Sequence, residues 1–359
     1  MVKRVCSLLL LMAVGAAPAM AQLPPVKHVF VIMLENEGFA TTFGSGSAAP
    51  YLSKTLTAKG QLLTEYYGIG HNSNPNYLAM ISGQAPDATT QGDCQVYQDF
   101  AGPGVFAADG QLVGQGCVYP SSVDTVANQL EVNGLTWRGY MESMPGPCSH
   151  PALNSMDSTQ KATATNEYAT RHNPFVYFHA LIDIPTCAAN DVALTELQQD
   201  LATVATTRNL SFIVPNLCHD GHDTPCADGE PGGLVSADAF LRQYVPLILN
   251  SPAFKKDGVL IITFDEAEFG ASAGSDSTAC CNEKPGPNSP LPGISGPGGG
   301  RVGAVVISPF VKAGTRNATA YNHYSFLKTV EELFGLPYLG YAQPNDLAFF
   351  GRDVFDKTR

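Results

Sequence analysis

The residues of this 359-residue chain that could do chemistry together are two polar pairs, one hydroxyl and three imidazoles: Glu35-Asn36, Asp265-Glu266, Ser73, and His71, His222 and His323. Carboxylate and amide oxygens of this kind hold a divalent cation, and imidazoles give and take protons near neutral pH. Ser73 lies in His71-Asn72-Ser73-Asn74-Pro75-Asn76-Tyr77, which reads as a loop entering a short helix that stops at Gly83. Pro75 belongs in the first helical turn, and Ser73 falls near the N-cap. A hydroxyl there sits beside unpaired backbone N–H groups and the positive end of the helix dipole, which favour an alkoxide and a bound anion alike. A neighbouring dication would depress the hydroxyl pKa further and make it a nucleophile.

Four apolar runs would bring these residues together. His28 to Leu34 runs into Glu35-Asn36, and Leu210 to Val214 into Asn216, His219, Asp220, His222 and Asp223. Val259 to Phe264 runs into Asp265-Glu266, and Val302 to Ile307 leads toward His323. In an open parallel sheet the ligand crevice lies outside the carboxyl ends of the strands, so groups far apart in sequence converge there. Taken singly, each group has a plainer role. Ser73 could only cap its helix, His323 could cap the helix whose core stripe is Phe326, Leu327, Val330, Leu333 and Phe334, and Asp265-Glu266 could be a surface pair. Arg171-His172-Asn173-Pro174 reads as structural, and no role is assigned to His219. Strands alternating with helical stretches such as Ala237 to Leu249 give an α/β class, a three-layer sandwich about a mostly parallel central sheet.

Lys3-Arg4, the apolar run Leu8 to Val14 and Ala19-Met20-Ala21 have the order of a basic segment, an apolar segment and a small-residue cleavage site. Residues 1–21 are therefore read as an export signal and 22–359 as one mature domain, periplasmic or extracellular. No segment approaches the roughly 20 apolar residues of a membrane span. Residues 84–200, rich in Gly, Pro, Ser and Cys, are expected to be a loop-rich insertion with one strand, Leu135 to Tyr140, and one helix near Asp191 to Ala205. Residues 270–300 are expected to be an irregular covering loop near the site. Of the nine cysteines, Cys6 falls in the signal, and the rest allow up to four disulfides in an oxidising compartment. A Cys218–Cys226 bridge would hold the His219 to Asp223 segment rigid. The formal charge of −12 grows by two more negative charges once Lys3 and Arg4 leave, which argues against nucleic acid as a partner. An anionic substrate would need a local positive site, from a metal ion and imidazoles.

Five motifs in order resemble the phosphoesterase family, the bacterial and fungal acid phosphatases and bacterial phospholipase C enzymes of the alkaline phosphatase superfamily. They are Glu35-Asn36, the run from His71 to Gly83, Pro215 to Asp223, Thr263 to Glu266, and His323 to Glu331. The resemblance spans nearly the whole mature chain and implies an alkaline phosphatase-like fold. It implies one divalent metal ion surrounded by Glu35, Asn36, Ser73, Asp265 and Glu266. Ser73 would be the nucleophile, and His71, His222 and His323 would contact phosphoryl oxygens or the leaving group. Oxygen-rich ligation suits Mg, Ca or Mn, with Zn also compatible. Many relatives carry Asp where this chain has Glu266, and phospholipase C members have Thr at the nucleophile and Arg in place of Tyr77, so the motif leans toward the phosphatase branch. Tyr77 also disfavours sulfatase chemistry, which needs Arg there. The function so implied is a secreted phosphomonoesterase acting through a phosphoserine on a small phosphate ester or a phospholipid head group. The alternatives are a phospholipase C-like phosphodiesterase and a phosphoinositide phosphatase.

Overall fold

Val29 to Leu34 are six apolar residues without alternation, a pattern that satisfies the hydrophobic effect only if both faces of a strand are covered. In the computed structural model, which describes residues 23–270 and 275–357, His28–Leu34 (β1) lies in the middle of the sheet with every position buried. The expected export signal falls outside the described residues. Gln61–Leu63 (β2), Trp137–Met141 (β3), Asp191–Ala193 (β4), Leu210–Val214 (β5), Gly258–Phe264 (β6), Ala304–Ile307 (β7) and Thr315–Asn317 (β8) complete an eight-stranded sheet. Its order is β8-β2-β7-β6-β1-β5-β3-β4. β1 pairs in parallel with β6 along its whole length, from His28 opposite Gly258 to Leu34 opposite Phe264, and in parallel with β5 on its other side. That register brings Glu35 and Asp265 off adjacent strand ends at the same level.

Ser73–Ser82 (α1), Gly233–Asn250 (α2) and His323–Phe334 (α3) are the helices that matter most for the site. α1 packs on α3 in one helical group, and α2 packs on Pro252–Asp257 and the Tyr51–Leu56 turn in another, with the sheet between, which makes three layers. All ten residues of α1 are buried, and it ends at Gly83 in the left-handed region, φ 68°, where a Cβ would meet the Leu339 carbonyl oxygen at 2.4 Å. Among the described residues no helix is long and apolar enough to cross a membrane.

Two expectations change. Val302 to Ile307 contributes β7, which runs antiparallel to both β6 and β2, so its carboxyl end faces away from the crevice. His323 reaches the site instead from β8, which returns to the main direction beside β2. Second, the helix expected near Asp191 to Ala205 is strand β4, a 3-10 turn at Leu194–Glu196 and one helical turn at Leu197–Asp200. Pairing of Asp191, Val192 and Ala193 with Gly139, Tyr140 and Met141 outweighs helix propensity, and the hydroxyls of Thr206 and Thr207 donate to the Asp200 carbonyl where the turn stops.

Four disulfides form: Cys94–Cys117, Cys148–Cys187, Cys218–Cys226 and Cys280–Cys281. Beside the second, Asp191 is wholly buried, with Oδ2 accepting from Asn173 Nδ2 at 2.8 Å and Oδ1 unpartnered. Burial pushes its pKa up to about 7 against the pull of Asn173. The folded chain thus keeps a proton that the unfolded chain sheds near pH 4, so stability falls as pH rises between those values. The difference amounts to roughly 4 kcal/mol at most. Asp191→Asn is expected to flatten that part of the curve of melting temperature against pH, with the largest gain over the parent near neutral pH. A slope unchanged by the substitution would show that Asp191 ionises freely in the fold.

Candidate active site

Glu35 leaves the end of β1 with its backbone N–H donating to the Asp220 carbonyl at 2.8 Å, and Asp265 leaves β6 with its N–H donating to the Leu34 carbonyl at 2.9 Å. Asn36 bends into the left-handed region, φ 50°, which asparagine tolerates better than most residues. In that bend its backbone N–H donates to Asp265 Oδ1 at 2.9 Å and its amide Nδ2 donates to Glu266 Oε1 at 3.1 Å. The Glu266 N–H donates to the same Asp265 Oδ1 at 2.6 Å. Ser73 opens α1 one residue after the N-cap, Asn72, and its buried Oγ donates to Glu35 Oε2 at 2.7 Å. Ser73 is thus hydrogen-bonded to Glu35, and Asn36, Asp265 and Glu266 to one another, with Glu35 and Asn36 adjacent in the chain.

Three carboxylate oxygens there, Glu35 Oε1, Asp265 Oδ2 and Asp220 Oδ2, are buried without any hydrogen-bond donor. A fourth, Glu266 Oε2, meets only the Nδ1 of His71. Unsatisfied acids in low dielectric are costly, and an oxygen-seeking dication is the group that would satisfy them, so the donor set fits one. Burial first, then the charge of Glu35, pushes the Asp265 and Asp220 carboxyls well above the usual range. Burial also raises Glu35, opposed by Tyr77 and Arg171. Among the described residues, the tight triplets of Cys, His, Asp and Glu atoms lie at the disulfides. The acids alone therefore do not close a cage, and the Asn36 amide and Ser73 hydroxyl would have to complete the donor set.

The three predicted histidines have different fates. His222 is half-exposed, donates from Nδ1 to Asp223 Oδ1 at 3.0 Å, and lines a crevice of about 530 Å³ with Asn36, Glu37, Asn72, Glu268 and Phe269. The Asp223 bond raises its pKa, and the charge of Glu35 adds to that against burial. His71 and His323 have both ring nitrogens engaged. His71 meets Glu266 through Nδ1 and donates from Nε2 to the Asp276 carbonyl at 3.0 Å. His323 donates from Nε2 to the Asp265 carbonyl at 2.6 Å and meets the Tyr66 hydroxyl at 3.1 Å. Burial lowers both, His323 to about 4. Asp276 and Pro292, whose carbonyl accepts from the His71 N–H at 3.3 Å, belong to the irregular 275–300 segment, which thus covers His71.

Sequence reasoning set His172 aside, but the structure inserts it into the cluster. Its Nε2 lies 3.4 Å from Glu35 Oε1 and its Nδ1 lies 3.6 Å from Asp220 Oδ2, while its ring stacks on Tyr77 with centroids 5.2 Å apart. Arg171, paired with Asp93 at 3.7 Å, adds positive charge felt by Glu35 and Asp220. The available signal was a polar Arg171-His172-Asn173 run set directly against the apolar stretch Phe175 to Phe178. His219 lies apart from the predicted set, hydrogen-bonded to Glu142 at 3.0 Å.

Known proteins resemble the chain in both sequence and fold. The acid phosphatase of Aspergillus fumigatus is 28% identical over 337 residues, covering 91% of this chain and 60% of that protein. The phosphatidylinositol-3-phosphatase of Mycobacterium tuberculosis is 26% identical over 333 residues, covering 92% of this chain and 85% of that protein. The chain spans about 60% of the length of the fungal acid phosphatases it matches. The crystal structure of PsFucS1 sulfatase from Pseudoalteromonas sp. shares the fold, with a TM-score of 0.50 at 14% identity over 90% of this chain and 70% of that one. The family model described as the Phosphoesterase family matches residues 45–337, most of the chain, and the protein belongs to that family.

Proposed function

We propose that the chain is an exported, metal-assisted phosphomonoesterase of acid phosphatase type that works through a phosphoserine at Ser73. The observation that carries this reading is the buried Ser73 Oγ at a helix N-terminus, 2.7 Å from a Glu35 carboxylate whose other oxygen has no donor. A divalent cation bound by Glu35, Asn36, Ser73, Asp265 and Glu266 would neutralise the acids and lower the pKa of the Ser73 hydroxyl. Ser73 Oγ passes its proton to Glu35 and bonds to phosphorus as the bond to the leaving oxygen breaks. His222, whose pKa Asp223 raises, gives its proton to that oxygen; the neutral imidazole then takes a proton from the water that attacks phosphorus as the bond to Ser73 Oγ breaks, and Glu35 returns its proton to Oγ. His71 and His323 act as positioning residues, fixing Glu266 and the Asp265 backbone. A proton donor kept charged by a carboxylate suits acid pH, and four disulfides suit an exported protein.

A phosphoinositide phosphatase is the second reading, favoured by the mycobacterial relative being matched over most of both lengths. It uses the same monoester chemistry. The purified protein is expected to cleave p-nitrophenyl phosphate about tenfold or more faster than bis(p-nitrophenyl) phosphate. The reverse order would replace the monoesterase with a phospholipase C-like diesterase. Release of phosphate from phosphatidylinositol 3-phosphate vesicles, faster than from p-nitrophenyl phosphate, would select the second reading.

A further inference from the structure

Cys280 and Cys281 are bonded to each other, neighbours in sequence. A bridge of that kind closes no loop, so it adds almost nothing through chain entropy, and its contribution is local. Cys281 lies on the wall of a cavity of about 270 Å³ that Tyr324, Tyr341, Glu283, Asp109 and Asn322 also line. The volume is just under the roughly 300 Å³ at which pockets for drug-sized molecules begin.

Tyr324 is 1% exposed, and its ring packs with Ile69, Ala79 and Leu347, yet its hydroxyl has no hydrogen-bond partner. Tyr324 lines the cavity together with Glu283, Tyr341 and Asp109. A buried hydroxyl left unpaired is costly, and a ligand that bonds to it would recover that cost. Around it the polar groups are mixed. Tyr341 and Asp109 both line the cavity, Asn322 Nδ2 donates to Glu283 Oε2 at 3.3 Å, and Asn282 Nδ2 donates to Asp346 Oδ2 at 3.5 Å. Burial pushes the Glu283 carboxyl well above its usual range, but Asp109 and Asp346 still outnumber Lys284 on the cavity wall, a balance that disfavours a phosphate or another anion. Cys281, Pro285, Pro344 and Leu347 supply apolar wall between the polar groups. The two tyrosine rings stand at 88° with centroids 5.4 Å apart, one edge toward the other's face, so they do not form an open cage for an organic cation. α3 also begins here, with its positive end.

We propose that this cavity binds a single neutral sugar or cyclitol ring, whose hydroxyls both donate and accept and whose C–H faces lie on the disulfide, proline and leucine surface. It is separate from the Ser73 centre and does not rest on the phosphatase reading. The test titrates the intact, oxidised protein with methyl α-D-glucoside, methyl α-D-mannoside and myo-inositol by ligand-observed NMR, with choline and inorganic phosphate as controls. Saturable binding of at least one ring is expected, with a dissociation constant on the order of millimolar. It should weaken about tenfold in both Asp109→Ala and Tyr341→Ala. Asp109 is exposed, so its replacement keeps the fold, and p-nitrophenyl phosphate turnover monitors that in both variants. Binding by none of the three rings, affinity unchanged in both variants, or choline binding more tightly than every ring overturns the proposal.

Discussion

Ser73→Ala is expected to lower kcat for p-nitrophenyl phosphate by about 10⁴-fold or more, roughly 5 kcal/mol of barrier, with a much smaller change in KM. The loss is large because the reaction needs a nucleophile and the substitution removes it. Ser73 Oγ is the hydroxyl hydrogen-bonded to the Glu35 carboxylate, and the substitution removes the atom that would bond to phosphorus. KM changes little because the groups lining the crevice, Asn36, Asn72 and His222 among them, are untouched. The fold should hold as well. α1 is buried along its whole length and alanine is its best helix former, so the cost is one hydrogen bond to Glu35. Turnover alone would not separate a nucleophile from a metal ligand, so the deciding readout is covalent. Rapid acid quench with labelled substrate should leave label on the parent protein and none on the variant. A variant that still carries label, or that retains turnover within about tenfold, removes Ser73 from the chemistry.

The parts of this molecule legible in sequence are those where one physical requirement dominates. β1 and β6 are apolar on both faces, which only a central position in a sheet satisfies, and their ends then bring Glu35 and Asp265 to one level. The start of α1 was legible because Pro75 and Gly83 mark its two ends. What was not legible depends on partners distant in the chain. Nothing local tells β7 to run antiparallel, since an apolar run reads the same in either direction, and the direction is decided by its two neighbours. Asp191 to Ala193 form a strand because β3 is there to pair with. The histidines show the same limit at the site. Their spacing locates His71, His222 and His323, but what each ring nitrogen bonds to depends on Asp276, Asp223 and Asp265. His172 was hidden because Tyr77 and Glu35, the groups that give it a place in the site, lie about a hundred residues or more before it in the chain.

Asp265→Asn is expected to weaken metal binding about 100-fold or more, since even outer partners of a metal ligand are worth 10- to 100-fold, and to lower activity with it. Asn can keep the Oδ1 that accepts from Asn36 and Glu266, so the turn survives, but it replaces the donorless Oδ2 with an amide that cannot ligate. The effect on stability should invert with occupancy. In the metal-free parent, Asp265 and Asp220 are raised first by burial and then by the charge of Glu35, with Asp220 also acting on Asp265, and one neutral side chain relieves that crowding. The metal-free variant should therefore be the more stable of the two, by about 1–3 kcal/mol. Because the folded Asp265 carboxyl holds its proton above the unfolded value, the metal-free parent loses stability as pH rises and the variant loses less, so the gap widens toward neutral pH. A saturating divalent cation should reverse the order, since it binds the folded parent and gives stability in proportion to its affinity. Melting curves of both proteins, with chelator and with added Mg²⁺, Ca²⁺, Mn²⁺ or Zn²⁺, read all of this without an activity assay. If the chelated parent is no less stable than the variant, and no cation raises its melting temperature, the acids are not a metal site, and their crowding is relieved by protons alone.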